Sequence, residues 1–160
     1  MIKPLVLHLN TAIAIVSIGL LACTMPATDT SLNQTQTLLV GNTETRVAKV
    51  KALLRHPPAM LDAHYAEQQY GDDRLGPADY QGFYYLQLPT NQIAAWVSTL
   101  SPLTHRPTYS SPQPNLNWWL AQPTFEALTF YEVADVTYRV QGWVGVNANT
   151  GQIFIVDFTT

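Results

Sequence analysis

The sequence predicts an α+β domain: an antiparallel sheet of about four to five strands with one or two helices packed on a face. Three observations predict this class. Some segments have apolar residues at helical spacing, and others, between them, have apolar residues that alternate as in a strand. The third observation is that the chain ends in two strand-like segments joined by a turn. Apolar residues make up 47% of the 160 residues, which is enough to bury the core of one domain.

Two segments have the apolar periodicity of an amphipathic helix. The first, capped by Asn42 or Thr43, runs to about Leu54 and ends before the two prolines at 57–58. The second spans 91–100 after Thr90, a residue type that commonly caps helices. Its apolar stripe consists of Ile93, Trp96, Val97 and Leu100.

Strand patterns occupy most of the remaining chain. Residues 79–88 alternate as a strand does, residues 61–70 fit a helix or a strand, and residues 125–133 are strand-like, although 126–128 could begin a helix. Residues 136–146 alternate through a possible bulge at Gly142-Trp143. The turn residues 147–151 then join this strand to 153–158, which predicts a C-terminal β-hairpin.

The first 22 residues have the composition of an export signal. Lys3 provides the positive charge, and an uninterrupted stretch of small and apolar residues at 11–22 is short for a membrane span. The stretch ends in Leu20-Leu21-Ala22-Cys23, which resembles the lipobox of bacterial lipoproteins. That resemblance implies cleavage before Cys23 and acylation of the cysteine. The alternative is a plain transmembrane anchor, because counting from Leu5 gives a longer apolar run.

The lipobox divides the chain into three parts: a signal peptide at 1–22, the lipidated N-terminus with a flexible tether at 23–36, and one α+β domain at 37–160. The tether is polar, and a coil of its length spans ~20 Å. Thr24 follows the cysteine where the enterobacterial family pattern has Asp for inner-membrane retention, which favours the outer membrane over the inner. From about residue 79 onward the layout also loosely resembles small uncharacterised bacterial envelope domains, a likeness that implies no activity.

Residue patterns for catalysis and metal binding are weak. Asp62, His64 and Glu67 lack a second histidine at ligand spacing, and the acids at 72–79 lack the pattern of a calcium loop. No serine sits in a nucleophile motif, and the cations form no patch suited to nucleic acid. We therefore expect no catalytic residues, no cofactor, no metal and no nucleic-acid partner.

Four carboxylates could still meet in space and support glycan cleavage: Glu126, Glu132, Asp135 and Asp157. Asp157 lies near the end of the last strand and shares a face with Ile153 and Ile155. It is either a surface residue at the strand end or a half-buried acid, and we favour the surface position.

Aromatic residues are the remaining candidates for a contact patch: the pairs Tyr84, Tyr85 and Trp118, Trp119, together with Trp143. Neighbours on a strand point to opposite faces, so one member of each pair is expected in the core and the other exposed for sugar stacking or protein binding. We expect a membrane-anchored envelope lipoprotein with a small, non-catalytic protein-binding domain of accessory, inhibitor or immunity type. The alternatives are a cell-wall or glycan-acting enzyme and a structural or stress lipoprotein without a dedicated ligand.

Overall fold

The computed structural model describes residues 34–71 and 77–159, and within them it confirms the α+β class. Six antiparallel strands form one sheet in the order β1-β2-β3-β6-β5-β4, against the predicted four to five. The strands are β1 Gln34–Leu38, β2 Asp62–Tyr70, β3 Asp79–Gln87, β4 Thr129–Tyr131, β5 Gln141–Asn147 and β6 Gln152–Phe158, and the helices are α1 Thr43–Leu53, α2 Thr90–Val97 and α3 Gln122–Glu126.

The sheet has two different faces, each covered by its own hydrophobic cluster. On one, which we call the helix face, Val50 and Leu54 from α1 and its C-terminal end pack with Leu86, Ile153 and Ile155 of the central strands. Every one of these side chains is buried. Helix α1 begins where predicted because the Asn42 side chain accepts a hydrogen bond from the Thr45 N–H group. It ends where predicted because Pro57 follows its last turn.

The opposite face, which we call the aromatic face, is covered by the chain between α2 and β4 rather than by long helices. Phe83, Trp143 and Phe154 project from the strands and pack against rings such as Trp119 and Phe125. Trp119 meets Phe83 and Phe154 edge-on, with ring centroids 5.1 and 5.6 Å apart. Edge-to-face packing of this kind fixes ring orientation as well as burying area.

The predicted C-terminal hairpin is confirmed, but its first strand is shorter than predicted. The alternation predicts a strand over 136–140, whereas β5 begins at Gln141. A 3₁₀ turn at Val133–Asp135 precedes this segment, and the Val136 and Thr137 N–H groups both donate to the Val133 carbonyl. The alternation is misleading here because Val136 is buried in the helix-face cluster, whereas Val140, which has the same place in the alternation, is exposed.

Three smaller predictions also need correction. Residues 34–36, predicted to be the end of the flexible tether, belong instead to β1, whose backbone pairs with β2. Residues 125–133 divide into the end of α3, the short strand β4 and the 3₁₀ turn rather than one strand. Residue Thr90 is the first residue of α2, with Pro89 as its N-cap and no side-chain cap.

The ambiguous segment 61–70 is the strand β2, and Gly142 is not a bulge. The β5–β6 register runs without an inserted residue from Gln141↔Phe158 to Asn147↔Gln152. Gly142 instead has a φ of +133°. A Cβ at this position would lie 1.9 Å from the Val156 carbonyl oxygen, so the close approach of two strands requires glycine here.

Candidate functional site

The Pro-rich segment after α2, residues 101–117, is held against the aromatic face. Buried Gln68 of β2 donates from Nε2 to the Gln113 carbonyl, and Gln81 Nε2 donates to Ser110 Oγ over 3.1 Å. Trp119 Nε1 donates to the Ser110 carbonyl over 2.9 Å. These bonds join side chains of the central sheet to a segment without regular structure, and they fix where the following residues 117–121 lie.

A groove opens where residues 117–121 meet the edge of the aromatic face, and we call it the tryptophan groove. Its volume is about 420 Å³, within the usual range of ligand sites. Rings, amides and one carboxylate share the lining, whose members include Asp62, His64, Tyr85, Asn117, Trp118 and Gln152. Strands β2, β3 and β6 supply one wall, so half of the site rests on rigid, central sheet.

His64 connects the acidic end of the groove to its tryptophan. Its ring stacks on Trp118, with centroids 5.4 Å apart and planes 18° apart, and it also lies 5.8 Å from the Tyr85 ring. His64 Nε2 is 3.4 Å from Asp62 Oδ2. Desolvation lowers the pKa of His64, and the nearby Asp62 charge only partly opposes this shift. The imidazole therefore lines the groove in its neutral form near neutral pH.

Asp62 is held in place by an arginine from α1. Arg46 Nη2 lies 2.6 Å from Asp62 Oδ1, and Arg46 Nε donates to the Ala63 carbonyl over 2.9 Å. Partial burial opposes ionisation, but the hydrogen bonds from Arg46 and the Ala63 N–H group hold the pKa of Asp62 below its usual value. The groove thus contains an ionised carboxylate whose charge is already balanced.

The four paired residues of the predicted contact patch divide between the two faces. Tyr85, Trp118 and Trp119 line the tryptophan groove and are half-buried. Tyr84 is buried on the helix face, which fits the expectation that one tyrosine of the pair lies in the core. The tryptophans do not divide in this way, because they lie outside any strand and both project toward the aromatic face.

Asp157 is buried, which corrects the favoured surface position. Its side chain is 2% exposed and lies 3.1 Å from Arg139 Nη1, while Tyr84 donates a hydrogen bond to Oδ2 over 3.1 Å. Arg139 Nη2 also lies 2.6 Å from Glu67 Oε2. Burial raises the pKa of Asp157, and the Arg139 charge and the Tyr84 hydroxyl oppose that rise.

The Glu67–Arg139–Asp157 cluster joins three parts of the chain on the helix face. Arg139 comes from the irregular segment before β5 and bridges carboxylates on β2 and β6. Desolvation by itself lowers the pKa of Arg139. The hydrogen bond to Glu67 and the charges of both carboxylates outweigh this effect and raise the pKa above its ordinary value. Because both acids are held by one guanidinium, the cluster fastens this segment to the sheet rather than offering a free proton acceptor.

The other predicted acids are separate from Asp157. Glu126 pairs with Arg106 at 2.9 Å on the surface, and Asp135 accepts a hydrogen bond from the Ser101 N–H group. Glu132 lies near Asp135, because its N–H group donates to the carbonyl of the same Ser101. The side chains of Glu126, Asp135 and Asp157 have different partners among the described contacts.

The possible metal ligands of 62–67 are also separated. Because β2 is a strand, His64 projects toward the aromatic face and Glu67 toward the helix face, where it meets Arg139. Within 34–71 and 77–159, no three His, Cys, Asp or Glu side chains are placed to hold a metal ion. Asp72 and Asp73, two of the acids at 72–79, lie outside the described residues.

Comparisons with models of protein families, with curated proteins and with solved structures each return no match. In the part of the chain that the structure describes, no helix is long and apolar enough to cross a bilayer. The predicted signal peptide and Cys23 lie outside the described residues.

Sequence reasoning missed His64, Asn117 and Gln152 as members of the groove. Assigning 61–70 as a strand would have placed Asp62 and His64 on the face of Ala66 and away from Glu67. No local pattern brings Asn117 or Gln152 into the same groove as His64. Gln152 is placed there by the pairing of β6 with β3, and Asn117 by the way the Pro-rich segment folds back onto the sheet.

Proposed function

We propose that this protein is a bacterial envelope lipoprotein, anchored through acylated Cys23, whose domain binds another protein without catalysing a reaction. The tryptophan groove is the proposed binding surface. The observation that carries the proposal is its lining, in which half-buried Tyr85 and Trp118 lie beside the side-chain amides of Asn117 and Gln152. Aromatic anchors surrounded by polar groups are typical of the energetically important parts of protein interfaces.

The groove fits a polypeptide segment better than a sugar ring. His64 already covers one face of Trp118 in a nearly parallel stack, so that face is closed to a sugar. Amide and carboxylate groups along the lining can accept and donate hydrogen bonds to an exposed peptide backbone. The expected partner therefore presents an apolar side chain flanked by unpaired backbone groups, for which Trp118 and Tyr85 supply the apolar contact.

The anchor is tested by replacing Cys23 with Ala. We expect this variant to lose incorporation of labelled fatty acid and to leave the membrane fraction, because two or more acyl chains are needed for stable attachment to a bilayer. The matched control is Thr24→Ala, which keeps Leu20, Ala22 and Cys23 intact and should still be labelled. Fatty acid attached to the Cys23→Ala chain would show that the lipobox interpretation is wrong.

The binding surface is tested by replacing Trp118 with Ala. We expect recovery of the partner after cross-linking in cells to fall by at least about ten-fold, since buried aromatic anchors supply much of an interface's affinity. Trp96→Ala is the matched control, because Trp96 is also half-buried but packs with the helix-face cluster. Equal recovery from wild type and Trp118→Ala, with both folded by circular dichroism, would contradict the proposal.

A further inference from the structure

Another cavity lies where the C-terminal ends of α1 and α2 meet the 3₁₀ turn Val133–Asp135. Its volume is about 460 Å³, close to that of the tryptophan groove and within the usual range of ligand sites. The two cavities share no lining residue. We call this one the charged pocket, and its lining includes Arg55, His56, Trp96, Leu100 and Asp135.

Backbone hydrogen bonds hold the walls of the charged pocket together. The Arg55 N–H group donates to the Val136 carbonyl over 2.8 Å, which joins the end of α1 to the 3₁₀ turn. The Ser101 N–H group donates to Asp135 Oδ2 over 2.7 Å, which joins the chain after α2 to the same turn. The pocket therefore lies among connected segments and is preformed, as ligand sites usually are.

The pocket contains a guanidinium and a carboxylate that do not pair with each other. The Arg55 guanidinium lies over the Tyr138 ring, 5.4 Å from its centroid, and has no carboxylate partner among the described residues. Stacking covers one face of the guanidinium and leaves the N–H groups at its edge available. Asp135 uses Oδ2 for the Ser101 N–H group, and its Oδ1 has no partner in the described part of the chain. A ligand can therefore meet an unpaired charge of each sign.

Beside these two charges the pocket has an apolar wall. Trp96 and Leu100 are half-buried and pack against the helix-face cluster, and part of their remaining surface lines the pocket. Because contacts with the core hold the indole in place, it offers a fixed surface on which a ring or an alkyl group can pack.

We propose that the charged pocket binds a small zwitterion with an apolar side chain, namely a free amino acid or a dipeptide. The ligand carboxylate accepts hydrogen bonds from the Arg55 guanidinium, and the ligand ammonium group donates to Asp135 Oδ1. His56 also lines the pocket and offers a further N–H donor to the carboxylate. The apolar side chain packs on Trp96 and Leu100.

The pair of opposite charges is the reason for a zwitterion rather than a singly charged ligand. A simple organic anion would leave Asp135 without a partner, and a simple amine would leave Arg55 without one. Each of these ligands also brings its charge near a like charge of the pocket, which disfavours it.

The test is isothermal titration calorimetry of the full chain, purified in a non-ionic detergent, with L-phenylalanine as the probe. We expect saturable binding with a Kd of about 1 mM or tighter. Phenethylamine lacks the carboxylate and 3-phenylpropionate lacks the ammonium group, so each should bind at least about ten-fold more weakly. L-Alanine keeps both charges but has no ring, and it should also bind more weakly.

The dipeptide alanyl-phenylalanine distinguishes the two sources of this chemistry. Tighter binding of L-phenylalanine identifies a free amino acid as the ligand, and tighter binding of the dipeptide identifies a short peptide. Either result supports recognition of a zwitterion by the charged pocket.

Two substitutions test the charges one at a time. Arg55→Gln should weaken binding of L-phenylalanine at least about ten-fold and leave phenethylamine unchanged, because the amine does not use the guanidinium. Asp135→Asn keeps an oxygen for the Ser101 N–H group, and it should weaken L-phenylalanine without weakening 3-phenylpropionate. Lys51→Gln is the matched control, because Lys51 is an exposed cation four residues before Arg55 that does not line the pocket.

Absence of saturable heat with both L-phenylalanine and the dipeptide up to about 10 mM would overturn the proposal. Equal affinity for L-phenylalanine and either singly charged analogue would also overturn it, as would unchanged binding by folded Arg55→Gln. The outcome is separate from that for the tryptophan groove. Trp96→Ala should weaken the probe and still recover the protein partner, whereas Trp118→Ala should bind the probe as wild type does.

Discussion

Replacing Gly142 with Ala should destabilise the domain severely, although it adds only one methyl group. The new Cβ would lie 1.9 Å from the Val156 carbonyl oxygen and 2.8 Å from its carbon. Val156 cannot move away easily, because β6 is paired with β3 and β5 on either side. We expect the free energy of unfolding, measured by denaturant titration, to fall by more than about 3 kcal/mol.

The control for Gly142 is Gly71→Ala. Gly71 also has a positive φ, +95°, but the nearest atom of the described residues to its added Cβ is 4.0 Å away. The free energy of unfolding of Gly71→Ala should fall by about 1–2 kcal/mol, the cost of the left-handed backbone region alone. If Gly142→Ala lost no more than Gly71→Ala, the close approach of β5 and β6 would not determine the need for glycine.

Replacing Arg139 with Met should produce the second large effect. The change keeps most of the side-chain volume but leaves Asp157, whose side chain is 2% exposed, and Glu67 without their shared cation. Removing one partner of a buried ion pair is strongly destabilising, and because Arg139 is 24% exposed we place the loss at about 2–4 kcal/mol. Denaturant titration at neutral pH measures it.

A double variant separates the uncompensated charge from lost packing. Adding Asp157→Asn to Arg139→Met removes the buried unpaired carboxylate, so the two losses should be less than additive by at least ~1 kcal/mol. The surface comparison is Glu126→Gln, whose partner Arg106 is 50% exposed, and its loss should stay below about 1 kcal/mol. Simple additivity of the first two changes would show that Arg139 does not act through Asp157.

Elements with strong local patterns were predictable from the sequence. Helix α1 has an N-cap asparagine and a proline stop, and the β5–β6 hairpin has turn residues between two apolar runs. Each signal lies within a few residues of the structure it determines. For that reason the fold class and the hairpin were predicted correctly.

Features that depend on distant contacts were not predictable in the same way. Residues 136–140 alternate as a strand would, but they lie outside the named strands, and Arg139 among them pairs with carboxylates on β2 and β6. The same contact buries Asp157, which the strand-end position had suggested was on the surface. In the tryptophan groove, His64 and Trp118 are distant in sequence. They meet where the Pro-rich segment, which the Gln68 and Gln81 side chains bond, lies against the sheet.

The proposed groove is tested most directly by a photo-reactive amino acid placed at position 117 of the acylated full chain in cells. Asn117 lines the groove and is exposed, and a probe there leaves the proposed anchor Trp118 in place. A matched probe replaces Lys49, an exposed residue of α1, the helix that packs on the helix face. If the groove binds a protein, irradiation should give one discrete adduct from position 117 and none from position 49. No adduct from position 117, or the same set of adducts from both positions, would contradict the proposed function.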